Sequence, residues 1–155
     1  MEENRNFYDS IIADLGFQML DAIRQLHDLG YVHRDITVLD FSMGGDKVYL
    51  TDFTNACQFR DQTGFNLSES KGLDTSDISI VMCSINAHKK KTLSLRDDLE
   101  SLGYVLLAYL MQFKSYWFTF EIKNLQEIEQ AKKNFIEKDT DNPRLKSIQA
   151  YLREV

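Results

Sequence analysis

The chain has 155 residues, of which 43% are hydrophobic and 27% charged, and its formal net charge is −6. This length predicts one globular domain, and the hydrophobic content is too high for a disordered chain. The negative charge argues against nucleic acid or an anionic membrane as a partner, and no apolar run approaches the roughly 20 residues that span a bilayer. Because the first six residues are polar and resemble neither a signal nor a transit peptide, we expect an intracellular, cytoplasmic protein.

The first predicted element is an amphipathic helix from Asp9 to Leu29, preceded by a short polar segment at residues 1–8. Gly30 follows at the position where a left-handed cap would end this helix. The apolar residues recur at steps of three and four, which is the spacing of one helix face: Ile12, Leu15, Met19, Ile23 and Leu26.

A small hairpin is the next predicted element. Two β-type runs, Val38 to Phe41 and Val48 to Thr51, flank the turn residues Gly44, Gly45 and Asp46. Residues 54–92 then show no sustained period and are rich in polar residues. A segment of this length without regular structure is usually functional or disordered.

Three helices are predicted in the second half of the chain. The run from Leu99 to Phe113 is apolar almost all round, which indicates a buried helix. A helix with a sparse apolar face follows from about Asn124 to Glu137, and the last helix begins with Asn142 as its N-cap and Pro143 at its first position. The predicted fold class is therefore mainly α, with one small β-hairpin.

Two pairs of sequence motifs resemble those of protein kinases. Y-V-H-R-D-I at residues 31–36 and Y-L-T-D-F-T at residues 49–54 resemble the kinase catalytic loop and the metal-binding D-F-G strand. C-S-I-N-A-H at residues 83–88 and R-D-D-L-E-S-L-G-Y-V-L at residues 96–106 resemble the casein kinase 1 family, which has S-I-N in place of the usual A-P-E. The resemblance covers residues 9–155, which we interpret as one partial kinase-like domain.

This resemblance implies the fold of a kinase C-terminal lobe, with residues 98–113 as its buried central helix. It implies that Asp98 caps the backbone of the catalytic loop, and that His33 and Phe53 belong to the internal hydrophobic stack; Arg34 belongs to the same structural motif. Neither a glycine-rich loop nor a strand lysine is found before the first helix, so we expect a C-lobe without an N-lobe.

The catalytic positions that the resemblance assigns are altered. Asp35 occupies the general-base position, but Thr37 replaces the lysine that neutralises the transferred phosphate. Asp40 replaces the asparagine that holds the second magnesium ion, and Asp52 is kept as the metal-binding aspartate, so the two could bind magnesium weakly. Thr54 stands in place of the D-F-G glycine. We therefore expect no cofactor, with Mg-ATP as the exception if the chain forms part of an active kinase.

The chain also contains basic residues, two further histidines and an aromatic run outside the catalytic positions. The basic residue that the family has before S-I-N is Val81 here, whereas Arg96 resembles part of the family's anion site for phosphorylated substrates. We interpret the run Lys89–Lys91 as a solvated basic loop, and His27 and His88 as ordinary surface or loop residues. The aromatic run at residues 116–120 is expected to pack into the lobe, with part of it available to a partner.

The function that these features favour is that of an inactive pseudokinase acting as a structural or docking subunit. Other protein chains would cover the apolar edge around Leu39, Phe41 and Leu50, which an N-lobe would otherwise bury. One alternative is the C-lobe of a Ser/Thr protein kinase, active only with an N-lobe from a second chain or a longer gene product. Another is a phosphopeptide-binding module that uses Arg96 and Lys89–Lys91.

Overall fold

The computed structural model describes residues 2–61, 63–65, 78–114, 116–118 and 124–155. This part of the chain is mostly helical with two small two-stranded sheets, which confirms the predicted mainly α fold class. Its elements in chain order are α1 (Glu2–Asp28), β1 (Tyr31–Val32), β2 (Phe41–Gly44), β3 (Lys47–Leu50), β4 (Cys57–Gln58), α2 (Ile85–His88), α3 (Leu95–Met111), α4 (Leu125–Glu137) and α5 (Pro143–Glu154), with 3₁₀ turns at Val38–Asp40 and Tyr116–Phe118.

Helix α1 begins at Glu2, seven residues before the predicted start. The added residues are mostly polar, and a helix continues through polar residues of ordinary propensity without an apolar stripe to reveal it. Further along α1, Met19 and Ile23 are buried in the core, as the periodicity predicted. Gly30 ends the helix with a φ of +85° and lies close to the backbone of Arg60.

Strands β2 and β3 form the predicted hairpin, and Gly45 at its tip has a φ of +68°, which a two-residue turn requires. The first predicted strand starts too early, because Val38–Asp40 is a 3₁₀ turn capped by Thr37. Gln18 joins the hairpin to α1, since its Oε1 accepts a hydrogen bond from Val48 N at 2.9 Å.

Strands β1 and β4 pair in an antiparallel sheet that the sequence did not predict. Each strand has only two residues, which is too short for a period-two pattern to emerge. Strand β4 and helix α2 both lie within residues 54–92, for which no regular structure was predicted. Residues 62 and 66–77 of that segment lie outside the described residues.

Helix α3 is the centre of the core, as its apolar composition predicted. Leu102, Tyr104 and Leu107 are at most 1% exposed, and fully burying a large apolar side chain stabilises a fold by about 1.5–3 kcal/mol. Gly103 allows α5 to pack closely, since a Cβ at this position would lie 2.5 Å from Cδ2 of Leu152. Helix α3 begins at Leu95, earlier than predicted, because polar residues form its first turn.

Helix α4 begins one residue after its predicted start, with Asn124 as its N-cap. Helix α5 follows its predicted cap, Asn142, and has Pro143 at its first position. Trp117 is 1% exposed and packs edge-on against Tyr104. The aromatic run at residues 116–120 thus does contribute to the core, although residues 119 and 120 lie outside the described residues. None of the helices described here is long and apolar enough to cross a membrane.

Candidate functional site

The carboxylate of Asp98, at the start of α3, joins three segments of the chain. Its Oδ2 accepts hydrogen bonds from His33 N and His27 Nε2, and its Oδ1 accepts one from Arg34 N, all at 2.8 Å. Arg34 has a φ of +74°, which is unfavourable for a residue with a side chain, so the carboxylate stabilises a loop conformation that would otherwise be strained. The interpretation of His27 as an ordinary surface residue is wrong, because its side chain is only 11% exposed and contacts Asp98.

The rings of His33 and Phe53 lie edge to face, with their centroids 5.7 Å apart. His33 is 1% exposed, and its Nε2 lies 3.2 Å from the carbonyl oxygen of Thr51, which can accept a hydrogen bond from it. Phe53 is 50% exposed. The two residues assigned to an internal stack therefore do touch, but Phe53 lies at the border of the core rather than inside it.

Both carboxylate oxygens of Asp35 accept hydrogen bonds from the chain itself. Oδ2 accepts from Asn55 Nδ2 at 3.1 Å, and Oδ1 accepts from the backbone N of Ser79 at 2.9 Å. Asn55 also contacts the loop through its carbonyl oxygen, which accepts from Arg34 Nε at 2.6 Å. The residue at the general-base position thus connects the catalytic-loop motif to two later loops.

Thr37 and Asp40 together cap the short 3₁₀ turn that follows Asp35. The Thr37 hydroxyl accepts from Leu39 N at 3.1 Å, and Asp40 Oδ2 accepts from Thr37 N at 2.6 Å. Asp40 is 6% exposed, and burial raises the pKa of its carboxyl above the ordinary value. One of the two oxygens of Asp40 is therefore engaged in the cap.

Asp52 is exposed, and its side chain accepts hydrogen bonds from Thr54 in the turn formed by residues 52–54. Its Oδ1 accepts from the hydroxyl and the backbone N of Thr54, at 2.6 and 3.2 Å, and these bonds lower the pKa of its carboxyl. The left-handed residue in this turn is Asp52, with a φ of +55°. Within the residues that the structure describes, no three His, Cys, Asp or Glu side chains are grouped as metal ligands.

Arg96 is exposed on the first turn of α3, and Lys89, Lys90 and Lys91 are exposed on the loop after α2. At the position where the family has a basic residue, the side chain of Val81 packs against the core. Its backbone carbonyl oxygen accepts a hydrogen bond from Trp117 Nε1 at 3.0 Å.

A buried lysine that the sequence reading missed is the most unusual polar group of the described structure. Lys132 of α4 is 0% exposed, and its Nζ donates to the carbonyl oxygens of Ile80 and Cys83, at 3.2 and 2.6 Å. It also lies 3.1 Å from His88 Nε2 and 4.7 Å from the centre of the Tyr104 ring. Burial lowers the pKa of Lys132 to about 8. This residue joins α4 to the segment before S-I-N.

The surroundings of Lys132 also correct the interpretation of His88 as an ordinary loop residue. Since the ammonium group of Lys132 donates to Nε2, that nitrogen of His88 is an acceptor and the proton lies on Nδ1. Burial and the neighbouring Lys132 lower the pKa of His88 to about 4. Spacing along α4 could have indicated the burial of Lys132, because it falls four residues after Ile128 and three before Phe135, both of which are core residues.

Comparison with known proteins shows that this chain is similar to protein kinases, among them the following three. It is 32% identical over 126 residues to a probable casein kinase I homologue of Encephalitozoon cuniculi, covering 80% of the chain and 41% of that protein. It is 32% identical over 111 residues to the serine/threonine-protein kinase VRK2 of Homo sapiens, covering 70% and 22%. It is 34% identical over 110 residues to a probable serine/threonine-protein kinase of Dictyostelium discoideum, covering 61% and 20%.

The homologues are protein kinases, and the fold is that of a kinase C-terminal lobe. The chain spans less than half the length of each of these relatives. None of the known protein-family models matches it.

Replacing Asp98 by alanine is expected to lower the free energy of unfolding by about 3–5 kcal/mol, because two backbone N–H groups lose their buried acceptor. Urea unfolding measures the loss. The control is Asp21→Ala on α1, which removes an exposed carboxylate bonded to Arg24 and should leave the free energy of unfolding nearly unchanged. Equal losses in the two variants would contradict the role assigned to Asp98.

The titration of His88 predicts a pH-dependent contribution to stability. Its pKa is lower in the folded chain than in the unfolded one, so the unfolded chain takes up the proton first as the pH falls. Neutral His88 therefore contributes its full stability above pH 6.5, and this contribution is lost as the pH falls towards about 4. Glu129 opposes the effect, while Lys132 and Lys133 reinforce it.

The measurement is urea unfolding of the wild type and of His88→Gln between pH 7.5 and 4. Glutamine keeps an acceptor for Lys132 but takes up no proton. The variant should become more stable relative to the wild type as the pH falls, and a difference that stays constant would count against the assignment.

Proposed function

We propose that this chain acts as a structural or docking subunit and that it does not transfer phosphate on its own. The observation that carries the proposal is the state of Asp35. A general base needs an oxygen within about 2.6–3.2 Å of the hydroxyl whose proton it accepts. Each oxygen of Asp35 already accepts one hydrogen bond from the chain, from Asn55 and from Ser79. These bonds use one acceptor site on each oxygen and fix the orientation of the carboxylate.

The positive charge that phosphoryl transfer requires supports the same proposal. Catalysis of this reaction depends on positioning and on neutralising the transferred phosphate, so the loss of a single electrostatic group typically costs about 10²–10³-fold in rate. Thr37 carries no charge at the lysine position and its hydroxyl caps a turn. Asp40 is buried as the other half of that cap, and Asp52 is engaged with Thr54.

A docking role is supported by an apolar surface on the hairpin side, which we call the hairpin face. It comprises the exposed residues Leu29, Leu39, Tyr49 and Phe53. Leu39 is 85% exposed, and Leu29, Tyr49 and Phe53 line one groove, and exposed apolar side chains of this kind mark interaction surfaces. This groove of about 640 Å³ lies between α1 and β3.

The structure corrects one part of the predicted edge, since Phe41 and Leu50 are partly buried against the core and only Leu39 is fully open. The partner that the hairpin face fits is a protein surface of apolar side chains, because the described face offers few charges to a polar ligand.

The alternative is an active kinase whose small lobe is supplied by another part of a longer protein or by a second chain. It is favoured by the relatives, which are kinases of which this chain covers 41% or less. The contacts from Asp98 to His33 and Arg34 also keep the loop ordered for such a role.

We expect no rise in thermal unfolding temperature when excess Mg-ATP is added to the purified chain. A ligand at about 100 times its dissociation constant stabilises by about 2.7 kcal/mol, which would raise the melting temperature by several degrees. ATP with a chelator is the control for a magnesium-independent effect. A magnesium-dependent rise would favour the kinase alternative.

The hairpin face should bind the apolar dye 8-anilinonaphthalene-1-sulfonate. Replacing Leu39 by serine should reduce the dye fluorescence without changing the melting temperature, because the side chain lies almost entirely in solvent. Leu125→Ser on α4, where the leucine is 49% exposed, is the matched control and should leave the signal unchanged. A wild-type chain that binds no dye would count against the docking role.

A further inference from the structure

The described segment before S-I-N begins with a compact loop, residues 79–83, which is bound at several backbone groups. The carbonyl oxygen of Ser79 accepts from the backbone N of Met82 and Cys83, at 3.1 and 2.9 Å. These bonds close the loop on itself, so its other carbonyl groups need donors from elsewhere in the chain.

Lys132 supplies donors to two of these carbonyl groups, those of Ile80 and Cys83. An ammonium group has three N–H bonds, and the three contacts of Lys132 Nζ are the carbonyl oxygens of Ile80 and Cys83 and the ring nitrogen of His88. Its hydrogen-bonding capacity is therefore fully used on residues 80–88. The carbonyl oxygen of Val81 is bound by Trp117.

Asp35 binds the same loop from the other side. Its Oδ1 accepts from the N of Ser79, one residue before the first carbonyl that Lys132 contacts. The carboxylate of Asp35 thus binds an N–H group of this loop, and the ammonium group of Lys132 binds two of its carbonyl oxygens. Hydrogen bonds to charged groups contribute more to stability than hydrogen bonds between neutral groups.

We propose that Lys132 is the positioning residue of this loop: by binding the carbonyl oxygens of Ile80 and Cys83, it keeps the Ser79 amide on the carboxylate of Asp35. This inference rests on the proposed function and deepens it, since it identifies the residue that keeps the Ser79 amide bound to Asp35.

The burial of Lys132 supports a positioning role over a purely stabilising one. Removing a charge from water is costly, and a well-packed apolar side chain of the same volume often stabilises a core as well or better. A lysine at this place therefore contributes chiefly through the conformation it imposes on the loop. With a pKa lowered to about 8 it remains mostly charged at pH 7, and the ring of Tyr104 stabilises the charge.

The test is amide hydrogen exchange, followed residue by residue by NMR, in the Lys132→Met variant of the full chain. Methionine fills a similar volume but offers no donor. Because hydrogen bonds to a charged group are lost, the amides of Ser79, Met82 and Cys83 should exchange at least about tenfold faster than in the wild type, while those of α5 stay within a factor of about two. Lys132→Arg, which keeps the charge and donors, should restore part of the protection.

The matched control is Lys133→Met, which removes the neighbouring lysine and its ion pair with Glu129 on the helix surface. It should leave the three loop amides unchanged. Faster exchange in every element of Lys132→Met would show a general loss of stability and overturn the proposal. So would unchanged exchange at Ser79.

A second measurement needs no change at Lys132. In the wild type, the Ser79 amide should be protected, and Asp35→Asn should shift its proton resonance because the charged acceptor is lost. A Ser79 amide that exchanges as fast as an exposed loop would overturn the proposal. None of these readouts uses nucleotide, so a chain that binds Mg-ATP but keeps the Lys132-dependent protection would contradict the proposed function and support this inference.

Discussion

The loop that carries His33, Arg34 and Asp35 depends on one buried carboxylate, that of Asp98. A charge with 2% exposure is tolerated only when donors surround it, and three do so here, two of them backbone amides of the loop itself. The carboxylate therefore fixes the course of the main chain rather than a side chain. Since Asp98 lies on the most buried helix of the fold, the packing of the core and the geometry of the candidate site are set by one element.

The sequence predicted those features that are determined by neighbours along the chain. The last helix was recognised from Asn142 and Pro143, and the central one from its lack of a polar face, because caps and periodicity are local signals. Motif residues such as His33 and Asp98 were located through the resemblance. Local signals were misleading where polar residues continue a helix, as at the start of α1, and where Thr37 turns a β-type run into a 3₁₀ turn.

Contacts between distant residues could not be predicted in this way. The spacing of Lys132 on α4 could indicate its burial but not its partners, because its two acceptor carbonyls lie 52 and 49 residues earlier in the chain. The Asp35–Ser79 bond spans 44 residues. Both interactions involve backbone groups, which are the same for every residue type, so no side-chain pattern marks the partners. Only the three-dimensional structure shows that the carboxylate of Asp35 binds Asn55 and Ser79.

The environment of Trp117 gives the protein an optical reporter of its own. It is the single tryptophan of the chain, and its indole N–H is bound to the carbonyl oxygen of Val81 in the loop 79–83. Indole fluorescence depends on the polarity around the ring and on hydrogen bonding at that nitrogen. The emission wavelength of the unlabelled protein will thus report whether this loop is in place, in dilute solution and on the timescale of rapid mixing.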